Sequence, residues 1–226
     1  MNDITLSELN FSEGARYMGY KGNVPEENIL SIMKKCEGII IEKAVPRYLY
    51  KKFPIHFLEN GVEVVGTNMI LTGNSIRNHL KNCHSVYLMC ATLSMEIDKQ
   101  IRIAELNDMA EAVILDALAA VAIEQVCDKV EEKIHLLETD KYLTYRFGLG
   151  YGDLPLSLEH EFLKIVNSEK LIGLCTSQNL ILSPRKSVAC IIGVCDNEIV
   201  NQKKSCSVCN LGGRCEYRKR GERCGF

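Results

Sequence analysis

Apolar and polar positions recur with helical spacing over residues 25–44, PEENILSIMKKCEGIIIEKA. Apolar side chains return there every three to four residues, which places them on one face, and Pro25 suits a first helical turn because its missing N–H costs nothing there. The pattern predicts an amphipathic helix that buries this face. The apolar positions of the face are Ile29, Ile32, Met33, Cys36, Ile39 and Ile40.

Two stretches rich in β-branched and aromatic residues predict strands. Residues 47–71 are broken at Asn60-Gly61, a dipeptide typical of tight turns, and predict a hairpin or two sheet strands. The segment SVYLMCATL, residues 85–93, is apolar at almost every position and predicts a strand buried on both faces. Between them, TGNSIRNHLKNC predicts a short helix capped by Asn74 or Ser75.

Residues 95–137 have helical spacing throughout, and their middle, AVILDALAAVAIEQV, is apolar almost all round. A helix of this kind must lie in the interior. Its two acidic interruptions, Asp116 and Glu124, would be costly to bury without partners. We expect them either to be paired within the fold or to lie where the helix borders a binding site.

The sequence after residue 155 predicts one more helix and three strands. SLEHEFLKIVNS begins with Ser157 as a cap and has an apolar stripe, and the strand candidates LIGLCT, NLILS and SVACIIGVC follow it. The last is apolar on both alternating sets of positions, which predicts an interior strand. The order of elements predicts an α+β fold with a mixed, largely antiparallel sheet packed with helices over residues 1–200, and a short cysteine-rich C-terminal tail over residues 201–226.

Composition narrows the classes of function. The 226 residues are 46% hydrophobic and 25% charged, which is ordinary for a globular protein, and the formal net charge of -2 argues against a protein whose main ligand is a nucleic acid or an anionic membrane. No apolar run has the length of a bilayer span, and MNDITLSELNFSEGAR lacks the basic-then-apolar order of a secretory signal. We therefore expect a cytoplasmic protein that binds neither nucleic acid nor membrane.

The chain contains eleven cysteines, and in a reducing compartment disulfides are not the default explanation for them. Seven lie singly within apolar stretches, where cysteine packs as a small hydrophobic residue, and we expect these in the core. They are Cys36, Cys83, Cys90, Cys127, Cys175, Cys190 and Cys195.

The other four, Cys206, Cys209, Cys215 and Cys224, lie in the last 21 residues and are candidate metal ligands. A Cys-x2-Cys pair lets two thiolates reach one metal from a single turn, and two further sulfurs complete a four-thiolate shell. Neighbouring lysines and arginines favour thiolate ligation. An iron-sulfur cluster, zinc, and free surface thiols without a metal all fit this spacing.

Residues 146–155, RFGLGYGDLP, form what we call the glycine segment, which combines three glycines with Arg146 and Tyr151. Glycines at this density allow sharp turns or close approach of a ligand to the backbone. The planar guanidinium of arginine suits bidentate binding of a carboxylate or phosphate. The glycine segment therefore predicts either a surface loop or a small-molecule site made of bare backbone, one cation and one aromatic ring.

The stretch RFGLGYGDLPL resembles the Arg-x-x-Pro-Gly-Tyr-x-x-x-Pro signature of the activation domain of cobalamin-dependent methionine synthase. LILSPRKSVACIIG is similar to that family's later strand region, and HLKNCHSVYLMCATLS and AEAVILDALAAVAIEQVCDKV resemble stretches of its short, stand-alone members. The likeness covers most of residues 15–195. One departure is Leu149 at the position of the family's proline, which leaves the backbone less restricted there.

The resemblance implies a stand-alone activation domain that binds S-adenosylmethionine and presents its methyl group to a corrinoid whose cobalt has become Co(II). In this family, one electron and one methyl group restore methylcobalamin. By this resemblance Arg146 holds the ligand carboxylate, the backbone of Gly148 and Gly150 lies against the ligand, and Tyr151 shapes the pocket. Since reduced cobalt is itself the nucleophile, no catalytic side chain is expected.

The resemblance also implies partners. They are a corrinoid methionine synthase or related methyltransferase that lacks its own activation domain and is reactivated in trans, and a reductant such as flavodoxin or ferredoxin. An iron-sulfur cluster in the tail would make the chain an entry point for the electron. The alternatives are a non-catalytic regulatory module that binds a metabolite and a metal, and an iron-sulfur electron carrier whose glycine segment is structural.

Overall fold

The computed structural model describes residues 3–20 and 24–198, together with Gly213 and Lys219. The fold is α+β, with an antiparallel sheet packed with helices, and this confirms the predicted class. The chain divides into two compact units, each assembled from three segments. Unit 1 comprises Met1–Leu49, Cys90–Ile134 and Asn167–Val188, and unit 2 comprises Tyr50–Met89, His135–Val166 and Ala189–Phe226.

Helices and strands follow one another along the chain in a mixed order. The helices are α1 (Phe11–Tyr17), α2 (Glu27–Lys43), α3 (Asn74–Leu80), α4 (Met95–Asn107), α5 (Met109–Leu137), α6 (Glu159–Val166) and α7 (Ser168–Ile172). The strands are β1 (Arg47–Leu58), β2 (Gly61–Val64), β3 (Ile70–Leu71), β4 (Cys83–Thr92), β5 (Tyr142–Leu143), β6 (Phe147–Gly148), β7 (Cys175–Thr176), β8 (Leu182–Ser183) and β9 (Ser187–Cys195).

Unit 1 is mainly helical, and most of α5 forms its interior. The α2 residues Met33, Cys36 and Ile40 are fully buried, as the predicted apolar face requires. The helical stretch predicted over residues 95–137 is present but is interrupted at Asp108, whose carboxylate accepts hydrogen bonds from the backbone N–H groups of Ala110 and Glu111 at the start of α5. A single aspartate therefore ends one helix and caps the next.

Unit 2 contains most of the main sheet, in the order β3-β2-β1-β4-β9-β5, with β6 also pairing with β9. The predicted hairpin is confirmed, because β1 and β2 pair antiparallel with Leu58 opposite Gly61. Both strongly apolar strands lie inside the sheet: β4 is buried at every position except His84, and β9 has neighbours on both sides. Helix α3 packs on β2 in the same unit.

Three local predictions are wrong in detail. The N-cap of α3 is Gly73 rather than Asn74 or Ser75, and glycine has no side chain to form a capping hydrogen bond. Ser157 lies within a 3-10 turn, Leu156–Leu158, that precedes α6. LIGLCT begins as the end of α7, because Gly173 adopts a left-handed conformation that terminates that helix, and strand structure starts at Cys175.

Six of the seven cysteines predicted for the core are buried, and Cys175 is half-buried in β7. In the described part of the chain, no helix combines the length and apolar character that crossing a bilayer requires.

Candidate functional site

The glycine segment lies in unit 2 as a short strand followed by a turn. β6 pairs antiparallel with the interior strand β9, with Phe147 opposite Ile191 and Gly148 opposite Cys190. The chain then turns: the Tyr151 N–H donates to the Gly148 carbonyl at 3.2 Å, and the Leu154 N–H donates to the Tyr151 carbonyl at 3.1 Å. The four residues predicted for ligand binding therefore lie in or directly beside this short strand and its turn.

A ring cluster supports this segment from the inside. Phe147 is buried, and its ring centroid lies 4.9 Å from that of His79 on α3 and 5.1 Å, edge to face, from that of Tyr151. His79 also contacts Tyr145 at 4.4 Å. Burial lowers the pKa of His79 to about 4, so the imidazole is neutral at physiological pH. Phe147 thereby fixes the segment to the core through rings rather than charges.

Arg146 and Gly148 flank Phe147 along the chain. Successive residues of a strand face alternate sides, so Gly148 faces away from the side of the buried Phe147 ring, and Arg146 immediately precedes the strand. Both are half-buried. The half-exposed Tyr151 follows the turn at Gly150, whose φ of +78° lies in the region that favours glycine. A cation, bare backbone and a phenol ring are thus close together along the chain.

Gly148 differs from the two glycines that follow it because nothing in the described chain requires it. A Cβ placed there would have no atom within 4 Å, and its φ lies outside the left-handed region. A Cβ at Gly150 would contact Leu156 at 3.3 Å, and one at Gly152 would lie 2.6 Å from the Ser75 Cβ. Packing and backbone conformation therefore account for Gly150 and Gly152 but leave Gly148 unexplained.

The structure adds Asp153, which sequence reasoning missed. Its two carboxylate oxygens accept hydrogen bonds from the backbone N–H groups of Asn74 at 2.7 Å and Ser75 at 2.8 Å. Partial burial acts to raise the pKa of Asp153, but these hydrogen bonds outweigh it and hold the pKa below its ordinary value. No local signal indicates this contact, since 79 positions separate Asn74 from Asp153.

The acidic candidates on α5 belong to unit 1. Asp116 forms an ion pair with Lys186 at 3.0 Å, and the same ammonium donates to the Asp116 carbonyl at 2.9 Å. Asp116 also lines a cavity of about 450 Å³ with side chains that include Tyr17 and Arg185. Burial raises the pKa of Tyr17, and the negative charge of Glu124 adds to this shift. Asp116 is thus both paired within the fold and at the border of a cavity.

The proposed metal ligands Cys206, Cys209, Cys215 and Cys224 lie outside the described residues. Within the part of the chain that the structure describes, no group of three or more His, Cys, Asp or Glu side chains is arranged to hold a metal ion.

Comparison with known proteins gives a structural match without a sequence match. No family model matches the chain, and no curated protein matches it. The crystal structure of the MetH reactivation domain bound to AdoHcy is similar, with a TM-score of 0.66 at 13% sequence identity, covering 95% of this chain and 82% of that one. The likeness extends over nearly the whole chain, and the two proteins share a fold.

Proposed function

We propose that the protein binds S-adenosylmethionine at the glycine segment and serves in trans as the reactivation component of a corrinoid-dependent methyltransferase, of which methionine synthase is the leading candidate. The main observation behind this proposal is the open space at Gly148, which lies between Arg146 and Tyr151 along the chain. Open space beside a glycine that follows an arginine by two residues leaves room for a ligand to lie against the backbone there. The fold shared with a reactivation domain bound to AdoHcy supports the choice of ligand.

Each residue has a role that follows from its chemistry. The Arg146 guanidinium provides a charge-assisted, bidentate partner for the carboxylate of the amino acid end of the ligand. The backbone at Gly148 and Gly150 provides a surface without a Cβ, and the Tyr151 ring, which packs against Phe147 at 5.1 Å, follows at the end of the same turn. These residues bind and orient the ligand, and none of them has to transfer a proton.

The bound ligand would supply a methyl group as a cation equivalent to cobalt that has been reduced to Co(I), leaving S-adenosylhomocysteine. Because the nucleophile belongs to the partner's corrinoid, the contribution of this chain is orientation. Reduction of Co(II) to Co(I) requires one electron, which a flavodoxin or ferredoxin would supply. The four tail cysteines stay candidates for an iron-sulfur cluster or zinc.

The decisive measurement is calorimetric titration of the full chain with S-adenosylmethionine and S-adenosylhomocysteine. We expect saturable binding of both to the wild-type protein. Arg146→Gln should weaken binding by about 10- to 100-fold, because a hydrogen bond to a charged group contributes about 1.5–3 kcal/mol. Unchanged affinity in this variant would overturn the assignment of Arg146.

Gly148→Ala tests whether a ligand occupies the open space at Gly148, and Gly38→Ala is the matched control. The fold should tolerate the methyl group because the surrounding space is empty, whereas the bound ligand should not, and we expect affinity to fall by about tenfold or more, as loss of about 1.4 kcal/mol implies. The exposed Gly38 in α2 also has no atom within 4 Å of an added Cβ, so Gly38→Ala should leave binding unchanged. Equal affinity in both variants would contradict a ligand at Gly148.

A second assay separates reactivation from the two alternatives. With a reductant, S-adenosylmethionine and a Co(II) corrinoid methyltransferase, the absorbance of methylcobalamin should appear only when the chain is added. Binding of the ligand without cobalt methylation would favour a regulatory module. A metal-containing protein that binds neither ligand would favour an electron carrier.

A further inference from the structure

The beginning of α3 depends on a residue far away in the sequence. Its N-cap is Gly73, with φ 119° and ψ 147°, and that residue has no side chain to accept a hydrogen bond from the first turn. The N–H groups of Asn74 and Ser75 would otherwise have to find partners in solvent. Asp153, at the end of the turn that carries Gly150 and Tyr151, accepts both of them.

The contact is also interlocked sterically from both sides. A Cβ at Gly73 would lie 2.6 Å from the nearer Asp153 carboxylate oxygen and 2.9 Å from the Asp153 carbonyl oxygen. A Cβ at Gly152 would lie 2.6 Å from both the Cβ and the Oγ of Ser75. One glycine in each segment therefore makes room for the polar residue of the other segment.

The neighbours of Asp153 connect this contact to the candidate ligand residues. Leu154 is buried, and its N–H donates to the Tyr151 carbonyl. Helix α3 also carries His79, whose ring packs on the ring of Phe147, the residue that separates Arg146 from Gly148 in the sequence. Helix α3 thus contacts the glycine segment at two points, through rings near the start of the segment and through hydrogen bonds near the end of the segment.

We propose that Asp153, together with residues 73–75, forms a clamp that positions the glycine segment for its ligand. Asp153 is a positioning residue, since it acts through the turn and does not itself contact the ligand. The ligand part of this inference rests on the proposed function. The existence of the clamp does not, and it is measured separately.

Hydrogen exchange of the full chain tests the clamp without a ligand. In Asp153→Asn, which keeps the size of the side chain but removes one acceptor and the charge, we expect amides of residues 146–154 and of the first turn of α3 to exchange about tenfold faster. Amides of β9 should exchange as in the wild-type protein. Asp140→Asn, an exposed carboxylate in the same unit, is the matched control and should change neither region.

Titration with S-adenosylhomocysteine then tests positioning. Because an ordered loop has already lost the conformational entropy that binding would otherwise cost, Asp153→Asn should weaken affinity by about tenfold, and Asp140→Asn should not. Gly73→Ala, which opposes the same contact from the other side, should reproduce both the faster exchange and the weaker binding.

Every outcome decides the inference. Unchanged exchange in Asp153→Asn overturns the clamp, and so does faster exchange throughout unit 2, which would indicate global destabilisation. Locally faster exchange with unchanged affinity overturns the positioning role. If the wild-type protein binds no S-adenosylhomocysteine, the proposed function fails, and the exchange data alone decide whether the clamp exists.

Discussion

Helix α5 and the glycine segment are held in place by different kinds of contact. The helix buries apolar side chains along most of its 29 residues, among them the fully buried Leu118, against which the α1 residue Gly14 is packed. The glycine segment has few buried side chains and is held by a strand pair with β9, a ring cluster and the two hydrogen bonds to Asp153.

The difference separates stability from geometry. Helix α5 makes many nondirectional apolar contacts, so displacing it costs much free energy. No single one of these contacts fixes the position of a residue relative to a ligand. A few directional contacts contribute less to stability in total but fix where Arg146, Gly148 and Tyr151 lie relative to one another. We therefore expect the largest losses in the free energy of unfolding from substitutions in α5, and the largest changes in local order and ligand binding from substitutions in the glycine segment.

The largest effect on stability is expected for Leu118→Ala. Removing this fully buried side chain should lower the free energy of unfolding by about 2–5 kcal/mol, through lost burial and the cavity left behind. Val113→Ala on the same helix, where the side chain is 53% exposed, should change it by no more than about 0.5 kcal/mol. Urea unfolding at neutral pH measures both, and a similar loss in the two variants would contradict the central position of α5.

A pH-dependent effect is expected from His79, which is 4% exposed. Burial lowers its pKa to about 4, against the opposite effect of a hydrogen bond with the Tyr145 backbone. Since the unfolded chain binds the proton more readily, the stability contributed by the neutral imidazole is complete above about pH 6.5. It is lost as the pH falls from about 6.5 towards 4, up to roughly 3 kcal/mol.

His79→Phe isolates this contribution because it keeps a ring against Tyr145 and Phe147 and removes the titrating group. Burial raises the pKa of Tyr145, so that phenol stays neutral over the whole range. Urea unfolding at pH 7, 6 and 5 should therefore show a steeper loss of stability in the wild-type protein than in His79→Phe. Parallel curves would contradict burial of the imidazole in the ring cluster.

The smallest effect is expected in the glycine segment itself. In Gly152→Ala the new side chain would have an unfavourable φ of +60° and would clash with Ser75. We expect this variant to lower the free energy of unfolding by about 1–3 kcal/mol. Gly66→Ala has a comparable φ of +82° with no atom near the added Cβ, so it measures the conformational cost alone. The excess in Gly152→Ala should disappear when Ser75→Gly is combined with it, and no recovery in the double variant would show that the two segments are not in contact.

The sequence predicts elements whose formation depends on local spacing. The apolar face of α2, the hairpin at Asn60-Gly61 and the buried strands β4 and β9 follow from periodicity and composition, and the structure confirms them. The same reasoning puts the cap of α3 at Asn74 or Ser75, because it considers only neighbours along the chain. The structure uses Asp153 instead.

The candidate site is predictable only in part for the same reason. Composition draws attention to Arg146 and Tyr151, and a family signature suggests their roles. The sequence does not show that Gly150 and Gly152 avoid clashes whereas Gly148 faces open space. That difference depends on Ser75 and Leu156, which lie near these glycines only in the folded chain. No sequence pattern indicates the role of His79 either, because its ring contacts with Tyr145 and Phe147 form only in the folded chain.

Burial of the cysteines gives each unit its own chemical reporter. Cys36 and Cys127 are fully enclosed in unit 1, and Cys190 and Cys195 are enclosed in unit 2. An alkylating reagent can reach such sulfurs only when the surrounding structure opens. Mass spectrometry of peptides after timed alkylation would therefore give separate opening rates for the helical unit and the sheet unit without any engineered label, with the half-buried Cys175 as an internal reference for a more accessible thiol.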